Sequence, residues 1–528
     1  MTATPSHRGP LVTVLVPTFN RRRYLAEALR SLAGQTYANF EAVVVNDGGE
    51  PVADVVAALA DPRFTLIERR DNRGKAASLN EGLARARGSY VAYLDDDDLY
   101  YPAHLAALLD ALQAGGGCGA AYTDLYKVHC RVRPDGSRQV LGKIVNVSRD
   151  FDRFLICHFN HVLHVSLMHR RDLLDRTGPY NERLRVLVDW DMTRRLAFFT
   201  DFRHVPRVTG EYYAPVGPSD RLSYRQRLQR QAYLEQVLAV RTTRPAKPWP
   251  KMPDLAIILL AGRMDARAAG VLRQALLWTF MPYRVYLPLA AEDASRLRTD
   301  APVVAVAPVA AGAGRAECLD AALGAADADF AAVVPPGVAP GLLWVEDALH
   351  AAVTSGAADR TAFLIRCAAG APPWADADWP PVVLRLDALR RARAAAAGAP
   401  LAHALRAAGI AVRPPCDGER ALQFDRLLQQ AQAMEAEGNW AQAAWRYERL
   451  RARWANHRWM DERAARALFR AGGRDRQALE LVRRLNRAQP TVDTLLLEAK
   501  LLRRGGAGDE AAALLERAEQ ILSGKALP

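Results

Sequence analysis

The stretch that decides the fold is Tyr90–Asp98, whose sequence is YVAYLDDDD. Its first residues are apolar or aromatic, and they predict a buried strand over Tyr90–Leu94. Four carboxylates follow this strand with no spacer, and they are called the acidic run, Asp95–Asp98. A strand that ends in four acids concentrates negative charge at one edge of a sheet.

Upstream of this stretch, predicted strands alternate with predicted helices. We expect strands at Leu11–Val16, Phe40–Val45 and Phe64–Glu68, and helices at Arg22–Gly34, Val52–Leu59 and Lys75–Ala86. This alternation is typical of a mostly parallel, Rossmann-like sheet in an α/β fold. In such sheets ligands bind beyond the carboxyl ends of the strands, where Thr18–Asn20, Asp47 and the acidic run are expected to meet.

Four adjacent carboxylates are electrostatically costly, because like charges at this spacing raise one another's pKa. A hard divalent cation would neutralise them, and such an ion also binds the phosphate oxygens of a diphosphate ester. The alternative is an acidic N-terminus for a helix that begins near Tyr101–Leu105, where Pro102 suits the first turn. One aspartate would be enough at a helix N-terminus, so a run of four favours a cation-binding site.

Five stretches occur in the order of a known family: VLVPTFNR at 14–21, VVVNDGG at 43–49, NRGKAASLNEG at 72–82, YLDDDD at 93–98 and DWDMTRRL at 189–196. On these motifs the first 240 or so residues resemble the family 2 glycosyltransferases, which have the GT-A fold. The resemblance implies that a sugar is moved, with inversion, from a UDP- or GDP-sugar to an acceptor hydroxyl. It also implies Mn2+ or Mg2+ as cofactor and a glycan, lipid-linked saccharide or protein as acceptor.

The resemblance assigns roles to residues on the donor side. Pro17, Thr18 and Phe19 would flank the nucleoside, and Asp47 would accept the ring N–H of uracil or guanine. Arg73 would lie beside the base or the diphosphate. The alternatives are an Asx turn for Asp47, which precedes two glycines, and a solvated surface position for Arg73.

The family's D-x-D pattern is placed at Asp95-Asp96-Asp97. Asp97 is the preferred metal ligand and Asp95 the second candidate, with the ribose as an alternative partner for Asp95. Asp95 and Asp96 are both assigned to the nucleotide-sugar, and the sequence leaves open which carboxylate has which role. Asn80 and Gly82 are expected to hold their helix against the sheet instead of contacting the ligand.

On the acceptor side, Asp189-Trp190-Asp191 resembles the acidic motif of the family. An inverting transfer needs one base to remove the proton of the acceptor hydroxyl as it attacks the anomeric carbon. Asp189 matches the aspartate of the usual Glu-Asp pair, although Val188 replaces the glutamate, and Asp191 is the second candidate. The alternative is a helix N-cap, since a helix is predicted to follow.

The segment Cys157–His169 is rich in histidine but does not have the spacing of a zinc site. Its apolar pattern predicts a half-buried strand on the acceptor side. Tyr212–Arg221 takes the position of a loop that in the family covers the acceptor. The six cysteines form no C-x-x-C pair and are expected to be free thiols.

Three domains are expected: 1–243, then, after the Pro-rich linker 244–253, a second α/β domain at 254–415, and helices at 420–528. The second domain resembles the first, since Lys75–Leu94 aligns without gaps with Arg315–Val334. Pro335–Val338 replaces the acidic run, so this degenerate GT-A-like copy is expected to lack metal-dependent activity. The alternative is an unrelated α/β domain.

The C-terminal helices resemble tetratricopeptide repeats, with a period near 34 residues. Gly438, Gly473 and Gly508 would mark successive repeats, and Ala443, Ala478 and Ala512 follow in step. These repeats would bind a protein partner or a large acceptor. A nonspecific helical bundle is the alternative.

The net charge of +13 comes almost entirely from dispersed arginines, so nucleic acid is not an expected partner. A signal peptide and a membrane-spanning segment are not evident, and we expect a cytoplasmic protein, with peripheral contact at the inner face of the membrane left open. Two other functions were considered. An inactive transferase-like scaffold is disfavoured by the intact acidic run, and a nucleotidyltransferase by the absence of a Gly-rich basic loop at Pro17–Arg21.

Overall fold

The computed structural model describes residues 9–145, 148–158, 160–216, 230–297, 303–336, 338, 344–365, 378–414, 421–453 and 458–522. It forms two compact units. The first unit combines Met1–Lys251, called here the N-terminal domain, with the C-terminal helices in Phe424–Pro528. The second unit is Met252–Gln423. Segments from both ends of the chain therefore build one unit.

The strands of the N-terminal domain are β1 Val12–Thr18, β2 Phe40–Asn46, β3 Phe64–Glu68, β4 Tyr90–Tyr93, β5 Leu99–Tyr100, β6 Ala120–Val132, β7 Arg138–Val145, β8 Leu167–Arg170 and β9 Phe202–Pro215. Among the described residues they form one sheet in the order β3-β2-β1-β4-β8-β6-β9-β5, with β7 paired to β6. β1 to β4 are parallel, whereas β8 is antiparallel to β4 and β6. The predicted α/β fold with a mostly parallel first half is confirmed.

The helices of this domain are α1 Arg22–Ala33, α2 Ala53–Ala57, α3 Lys75–Arg85, α4 His104–Gln113, α5 Arg153–His158, α6 Leu174–Thr177, α7 Val188–Leu196 and α8 Arg230–Thr242. The predicted strands and helices agree with these bounds to within two residues. Leu25, Leu29 and Leu32 lie on one face of α1 and are fully buried with β1 and β2. The 3.6-residue period of the sequence predicts this face.

The histidine-rich segment differs from its prediction. A short 3-10 helix occupies His164–Ser166, and the strand β8 begins only at Leu167. His164, Val165 and Ser166 are all buried, as in a buried turn. A half-buried strand would instead alternate buried and exposed residues. The prediction of a strand from Val162 was wrong because burial here does not follow the two-residue period of a strand.

The second unit contains β10 Leu255–Leu259, β11 Tyr283–Leu289, β12 Val304–Pro308, β13 Phe330–Val334, β14 Thr361–Leu364, β15 Val382–Arg385 and β16 Ala411–Arg413. Its described helices are α9 Ala266–Trp278, α10 Ala291–Ser295, α11 Arg315–Ala325, α12 Glu346–Thr354, α13 Leu386–Ala395 and α14 Leu401–Ala407. The strand order is β12-β11-β10-β13-β15-β14-β16. β10 to β13 are parallel and β15 is antiparallel to β13.

The two sheets share an order and a register over five strands. β12-β11-β10-β13 repeats β3-β2-β1-β4, and in both units the next strand is antiparallel. Tyr90 pairs with Arg170 in the first sheet, and Phe330 pairs with Arg385 in the second. Residues 90 and 330 differ by the same offset that aligns Lys75–Leu94 with the second domain.

The C-terminal region consists, over its described residues, of α15 Ala421–Ala436, α16 Trp440–Arg453, α17 Arg458–Ala471, α18 Asp475–Ala488, α19 Val492–Arg504 and α20 Gly508–Leu522. Gly438 and Gly473 have left-handed φ angles of 74°, as turn glycines require. In the third repeat the left-handed glycine is Gly506, at φ 83°, and not Gly508. The buried alanine is correspondingly Ala511, whereas Ala512 is exposed.

Among the described residues no helix is long and apolar enough to cross a bilayer. Among the described residues, Cys118, Cys130, Cys157 and Cys318 are not in disulfide bonds. Cys367 and Cys416 lie outside the described residues, and so does the part of the Tyr212–Arg221 loop that follows residue 216.

Candidate active site

The carboxyl ends of β1, β2 and β4 meet at one edge of the sheet because the three strands are parallel. Thr18 ends β1, Asp47 follows β2, and Asp95 lies two residues beyond β4. The hydroxyl of Thr18 donates to Asp96 Oδ2 at 2.7 Å, which joins β1 to the acidic run. The structure thus brings together the polar groups that the sequence places after three different strands.

Two cations of the chain lie against the acidic run. Arg21 Nη1 donates to Asp97 Oδ2 at 2.8 Å and to Asp96 Oδ1 at 3.3 Å. Lys75 Nζ donates to Asp95 Oδ1 at 2.5 Å. Burial, followed by the charge of Asp97, raises the pKa of Asp96. The chain itself therefore supplies part of the positive charge that four carboxylates need.

Asp98 is fully buried and is bound to a neighbouring strand. Its Oδ1 accepts a hydrogen bond from the backbone N–H of Tyr213 in β9 at 2.9 Å. β5 begins at the next residue, Leu99, and pairs with β9 as well. Gly210 allows this approach, because a Cβ there would meet Leu99 O at 2.5 Å. Asp98 therefore fixes the end of the acidic run to β9.

Arg138 of β7 adds a third cation near the run. Its Nη1 donates to the backbone carbonyl of Asp97 at 2.6 Å, and its Nη2 donates to Glu27 Oε2 at 2.6 Å. The guanidinium also stacks 3.5 Å from the centre of the Tyr213 ring and 4.5 Å from that of Tyr24. Arg138 is thus held by two aromatic rings and fixes the backbone beside the candidate metal ligand.

The remaining carboxylates suit a metal ion with few protein ligands. The side chains of Asp95 and Asp97 remain 27% and 13% exposed, whereas Asp96 and Asp98 are buried against hydrogen-bond partners. Over the described part of the chain, no group of three or more His, Cys, Asp or Glu is arranged to hold a metal. Mg2+ typically takes one or two carboxylates and completes its shell with substrate phosphates and water, and Mn2+ prefers the same oxygen ligands. The donor set fits such an ion.

Asp47 is buried against the loop that precedes α3. Its Oδ1 accepts from Arg73 N–H at 3.0 Å and its Oδ2 from Gly74 N–H at 2.7 Å, while Arg69 Nη1 lies 2.9 Å away. Arg73 is predicted to lie beside the base or the diphosphate. In the structure its guanidinium is exposed and pairs with Glu182 at 3.1 Å. Asp47 therefore organises this loop at the same edge as the acidic run.

Pro17 and Phe19 lie at the end of β1. Pro17 is half-buried, whereas the side chain of Phe19 is exposed, and its backbone N–H lies 3.4 Å from Asp96 Oδ2. Asn20 follows with a left-handed φ of 55° and accepts from Glu50 N–H at 2.8 Å. An exposed aromatic ring at the ligand-binding edge offers a surface for a nucleoside base.

Asp189 lies in the first turn of α7 and is half-buried. Its Oδ2 accepts from Asn160 Nδ2 at 3.0 Å. Burial raises the pKa of Asp189, and the positive charge of Lys75 opposes this rise. Burial alone would lower the pKa of Lys75, but Asp95 and then Asp189 raise it. Lys75 thus contacts Asp95 directly, and its charge also acts on Asp189.

Asp191, the other acceptor-side candidate, is in a different environment. It is buried, and its Oδ2 accepts from Arg195 Nη2 at 2.7 Å and Nε at 3.0 Å. Arg195 also donates to the carbonyls of Thr177 and Gly178. Asp191 therefore holds a buried arginine in place in the first turn of α7, whereas Asp189 is half-buried and binds Asn160.

A neutral histidine and tyrosine cluster supports the strand that precedes the acidic run. Tyr93 stacks on His164 with ring centres 3.9 Å apart, and its hydroxyl lies 2.6 Å from His169 Nε2. His164 Nε2 lies 2.9 Å from the Tyr180 hydroxyl. Burial lowers the pKa of His169 to about 4 and that of His164 below its usual value. These histidines serve packing in the described structure.

Asn80 and Gly82 behave partly as expected. Gly82 lets α3 approach β1, because a Cβ at this position would lie 2.9 Å from Leu15 Cδ2. Asn80 binds the loop before α7 instead of the sheet, donating to Tyr180 O at 3.0 Å and accepting from Tyr180 N–H at 2.8 Å. The contacts of both residues are therefore structural.

Sequence reasoning missed the three cations around the acidic run. Arg21 and Lys75 both lie inside the motifs that carry the family resemblance. These motifs are expected at the same edge of the sheet as the acidic run, so both cations could have been predicted to lie near it. Arg138 had none, because it belongs to a hairpin that no motif marks. Its contact with Asp97 depends on the pairing of β6 with β7.

The second unit lacks the corresponding groups. By register, Val12 and Leu255 occupy matching positions, as do Asn46 and Leu289. Asp47 then corresponds to Ala290, and the acidic run to the segment that begins with Pro335 after β13. No carboxylate occupies the described part of either position.

Residues 13–170 match the family model described as glycosyl transferase family 2. Among curated proteins, the chain is 27% identical over 259 residues to a PGL/p-HBAD biosynthesis glycosyltransferase of Mycobacterium bovis, covering 48% of this chain and 95% of that protein. It is 26% identical over 195 residues to the uncharacterized glycosyltransferase YwdF of Bacillus subtilis, covering 37% of this chain and 71% of that protein.

Solved structures with similarity include residues 1–349 of S. aureus TarS in complex with UDP, at 20% identity and a TM-score of 0.34, covering 43% of this chain and 63% of that one. Another is the mannosyltransferase PcManGT from Pyrobaculum calidifontis in complex with GDP-Man and Mn2+, at 24% identity and a TM-score of 0.32, covering 44% and 64%. Each match thus spans less than two thirds of the solved chain. The family model and the curated relatives agree with the sequence motifs, and over residues 13–170 the chain matches the glycosyl transferase family 2 domain.

Proposed function

We propose that the N-terminal domain transfers a sugar from a UDP- or GDP-sugar to an acceptor hydroxyl, with a divalent metal and with inversion at the anomeric carbon. The observation that carries this proposal is Lys75, whose charge acts on both Asp95 and Asp189. Lys75 Nζ donates to Asp95 Oδ1 at 2.5 Å, and its charge links this donor-side carboxylate electrostatically to the candidate base.

The donor would lie along the edge formed by β1, β2 and β4. Phe19 offers an exposed ring to the base, and Asp47 orders the loop that begins at Arg73. Asp97 and Asp95 would hold the metal ion, which, when bound, supplies charge stabilisation for the leaving diphosphate. Asp96, bound to Thr18, would keep the run in register with β1.

Asp189 would act as the base. Its carboxylate takes the proton of the acceptor hydroxyl while that oxygen forms a bond to the anomeric carbon and the bond from this carbon to the diphosphate oxygen breaks. Asn160 holds one carboxylate oxygen, which fixes the direction of the other. The charge of Lys75 favours the ionised form of Asp189, which a base requires.

The acceptor is proposed as a class: a glycan, a lipid-linked saccharide or a protein. The relative that is matched over 95% of its length is named a PGL/p-HBAD biosynthesis glycosyltransferase, which supports sugar transfer and leaves the acceptor class open. The second unit is proposed to be a degenerate GT-A-like domain without its own activity, since Ala290 stands where Asp47 stands in the first sheet.

A nucleotide screen tests the proposal. Wild-type protein is heated with UDP, GDP, ADP and their sugar conjugates, each with and without Mn2+. We expect one diphosphate to raise the melting temperature only when Mn2+ is present, and Asp97→Ala to abolish this shift. Asp110→Ala is a matched control, because Asp110 lies on α4 away from the acidic run.

The same samples distinguish a transferase from a scaffold. A transferase releases the nucleoside diphosphate slowly from its preferred sugar donor even when water is the only acceptor. Binding without any release, with donor and with candidate acceptors, would favour an inactive scaffold. A metal-independent shift that survives Asp97→Ala would contradict the proposed metal site.

A further inference from the structure

The C-terminal helices contact the N-terminal domain through one face of the repeat. α19 packs against β7. The charges of Arg458 and Glu462 of α17 act on Tyr126 of β6, and the charge of Asp493 of α19 acts on His129 of the same strand. α17 and α19 are alternate helices, so the face that they share is occupied by the chain's own sheet.

Gln489 makes the most specific contact at this junction. It ends α18, and its Oε1 accepts from Val208 N–H at 2.8 Å while its Nε2 donates to Val208 O at 3.1 Å. Both residues are buried and 281 positions apart in the chain. A side-chain amide that pairs with both backbone groups of one residue imitates a neighbouring strand.

Val208 needs such a partner because the ladder between β6 and β9 is irregular there. Thr123 pairs with Val205 and Asp124 pairs with Val208, so Pro206 and Arg207 are two extra residues in β9. Buried backbone groups left unpaired would be costly. Arg458 in turn donates to the carbonyl of Gln489 and so fixes its backbone.

The strand held at Val208 leads directly to the acidic run. The next residue, Thr209, accepts from Tyr101 N–H at 2.8 Å, and Gly210 pairs with Tyr100 of β5. Tyr213 then donates to Asp98 at 2.9 Å. Four residues of β9, 209–212, therefore separate the contact with the C-terminal helices from the contact with the acidic run.

We propose that Gln489 is a positioning residue for the active site, and that the C-terminal helices act as a fixed support for β9 and not only as a surface for partners. Gln489 acts through Val208 and β9 on Asp98, and so on the geometry of the acidic run. The acidic run's role in donor binding rests on the proposed function, whereas the support of β9 does not.

Gln489→Leu tests this in the full-length protein, because it keeps the size of the side chain and removes both hydrogen bonds. The matched control is Gln477→Leu on the same helix, whose amide binds Glu448 at 2.5 Å within the C-terminal region. We expect amide exchange of residues 208–213 to be about tenfold faster in Gln489→Leu and unchanged in Gln477→Leu, as the loss of two net-favourable hydrogen bonds implies.

Nucleotide binding supplies the functional measurement. In Gln489→Leu we expect the Mn2+-dependent affinity for the preferred diphosphate to fall about three- to tenfold, with Gln477→Leu unchanged. Faster exchange with unchanged affinity would reduce Gln489 to a structural residue and overturn the positioning role. If wild-type protein binds no diphosphate, the proposed function fails, and the exchange measurement still decides whether the helices support β9.

Wild-type protein provides a measurement that does not depend on the folding of a variant. The Val208 amide should exchange as slowly as the amides of Gly210 and Tyr213 in the same strand. An exchange rate typical of an open strand edge at Val208, with its neighbours protected, would show that Gln489 does not hold this position in solution.

Discussion

At the scale of single residues, Asp189 and Asp191 lie in the same first turn of α7 but in different environments. Asp189 is half-buried, and the charge of Lys75 acts on it. Asp191 is instead bound to Arg195 by two hydrogen bonds. The same residue type is thus proposed as the base at one position and binds a buried arginine at the other. The difference arises from contacts that local sequence does not reveal.

Substituting the two aspartates separates these roles. We expect Asp189→Asn to lower the turnover number by about 10²- to 10⁴-fold, because a general base is lost, while the Mn2+-dependent melting shift remains. Asp191→Asn should instead cost about 3 kcal/mol of unfolding free energy, because Arg195 loses its buried carboxylate. Steady-state kinetics and urea unfolding of both variants provide the check. Full turnover in Asp189→Asn would exclude it as the base.

His204 predicts a pH dependence of stability. Its Nε2 lies 2.8 Å from Asp124 and its Nδ1 3.1 Å from Asp150, and these two carboxylates overcome the effect of burial and raise the pKa of His204 to about 9. The unfolded histidine loses its proton near pH 6.5, so the stabilisation is complete below that pH and is lost as the pH rises towards 9.

The comparison is wild type against His204→Gln. The difference in unfolding free energy should be about 2–3 kcal/mol at pH 6 and should shrink steadily between about pH 6.5 and 9. Urea unfolding at several pH values measures this difference. A constant difference across this range would mean that His204 is neutral in the folded protein.

At the scale of elements, the short apolar strands were predictable from the sequence, and the long strands β6 and β9 were not. β1 and β2 are mostly apolar, as is typical of parallel strands that are buried on both faces. β6 and β9 mix apolar residues with buried polar groups such as Asp124 and Glu211, which find partners only after the strands pair. The cations around the acidic run were missed for the same reason: their partners lie on other elements.

A pair of helix glycines tests how closely helices approach the two sheets. A Cβ at Gly82 in α3 would lie 2.9 Å from Leu15 Cδ2, so Gly82→Ala should destabilise by about 1–3 kcal/mol. Gly324 in α11 is exposed with nothing within 4 Å of that position, so Gly324→Ala should stabilise by about 0.5–1 kcal/mol through helix propensity. Thermal unfolding of both variants should show shifts of opposite sign.

At the scale of the whole molecule, the order of segments in the chain is not the order of its compact units. The C-terminal helices follow the second unit in sequence but belong with the N-terminal domain, through contacts such as Gln489 with Val208. Periodicity predicts helices within this region. It carries no information about which sheet the helices pack on, because the junction depends on scattered side chains from distant segments.

This assignment predicts which parts of the chain unfold together. Leu468 of α17 and Leu319 of α11 are both fully buried, so replacing either with alanine should cost about 2–5 kcal/mol. If the C-terminal helices and the N-terminal domain form one cooperative unit, Leu468→Ala will lower amide protection in α17 and also in β1 and β6, while α11 and β13 keep theirs. Leu319→Ala should instead lower amide protection in α11 and β13, while α17, β1 and β6 keep theirs.

Hydrogen exchange with mass spectrometry in mild denaturant measures the protection of each segment separately. Loss of protection confined to α15–α20 in Leu468→Ala would contradict a shared unit and would make the helices an independent domain.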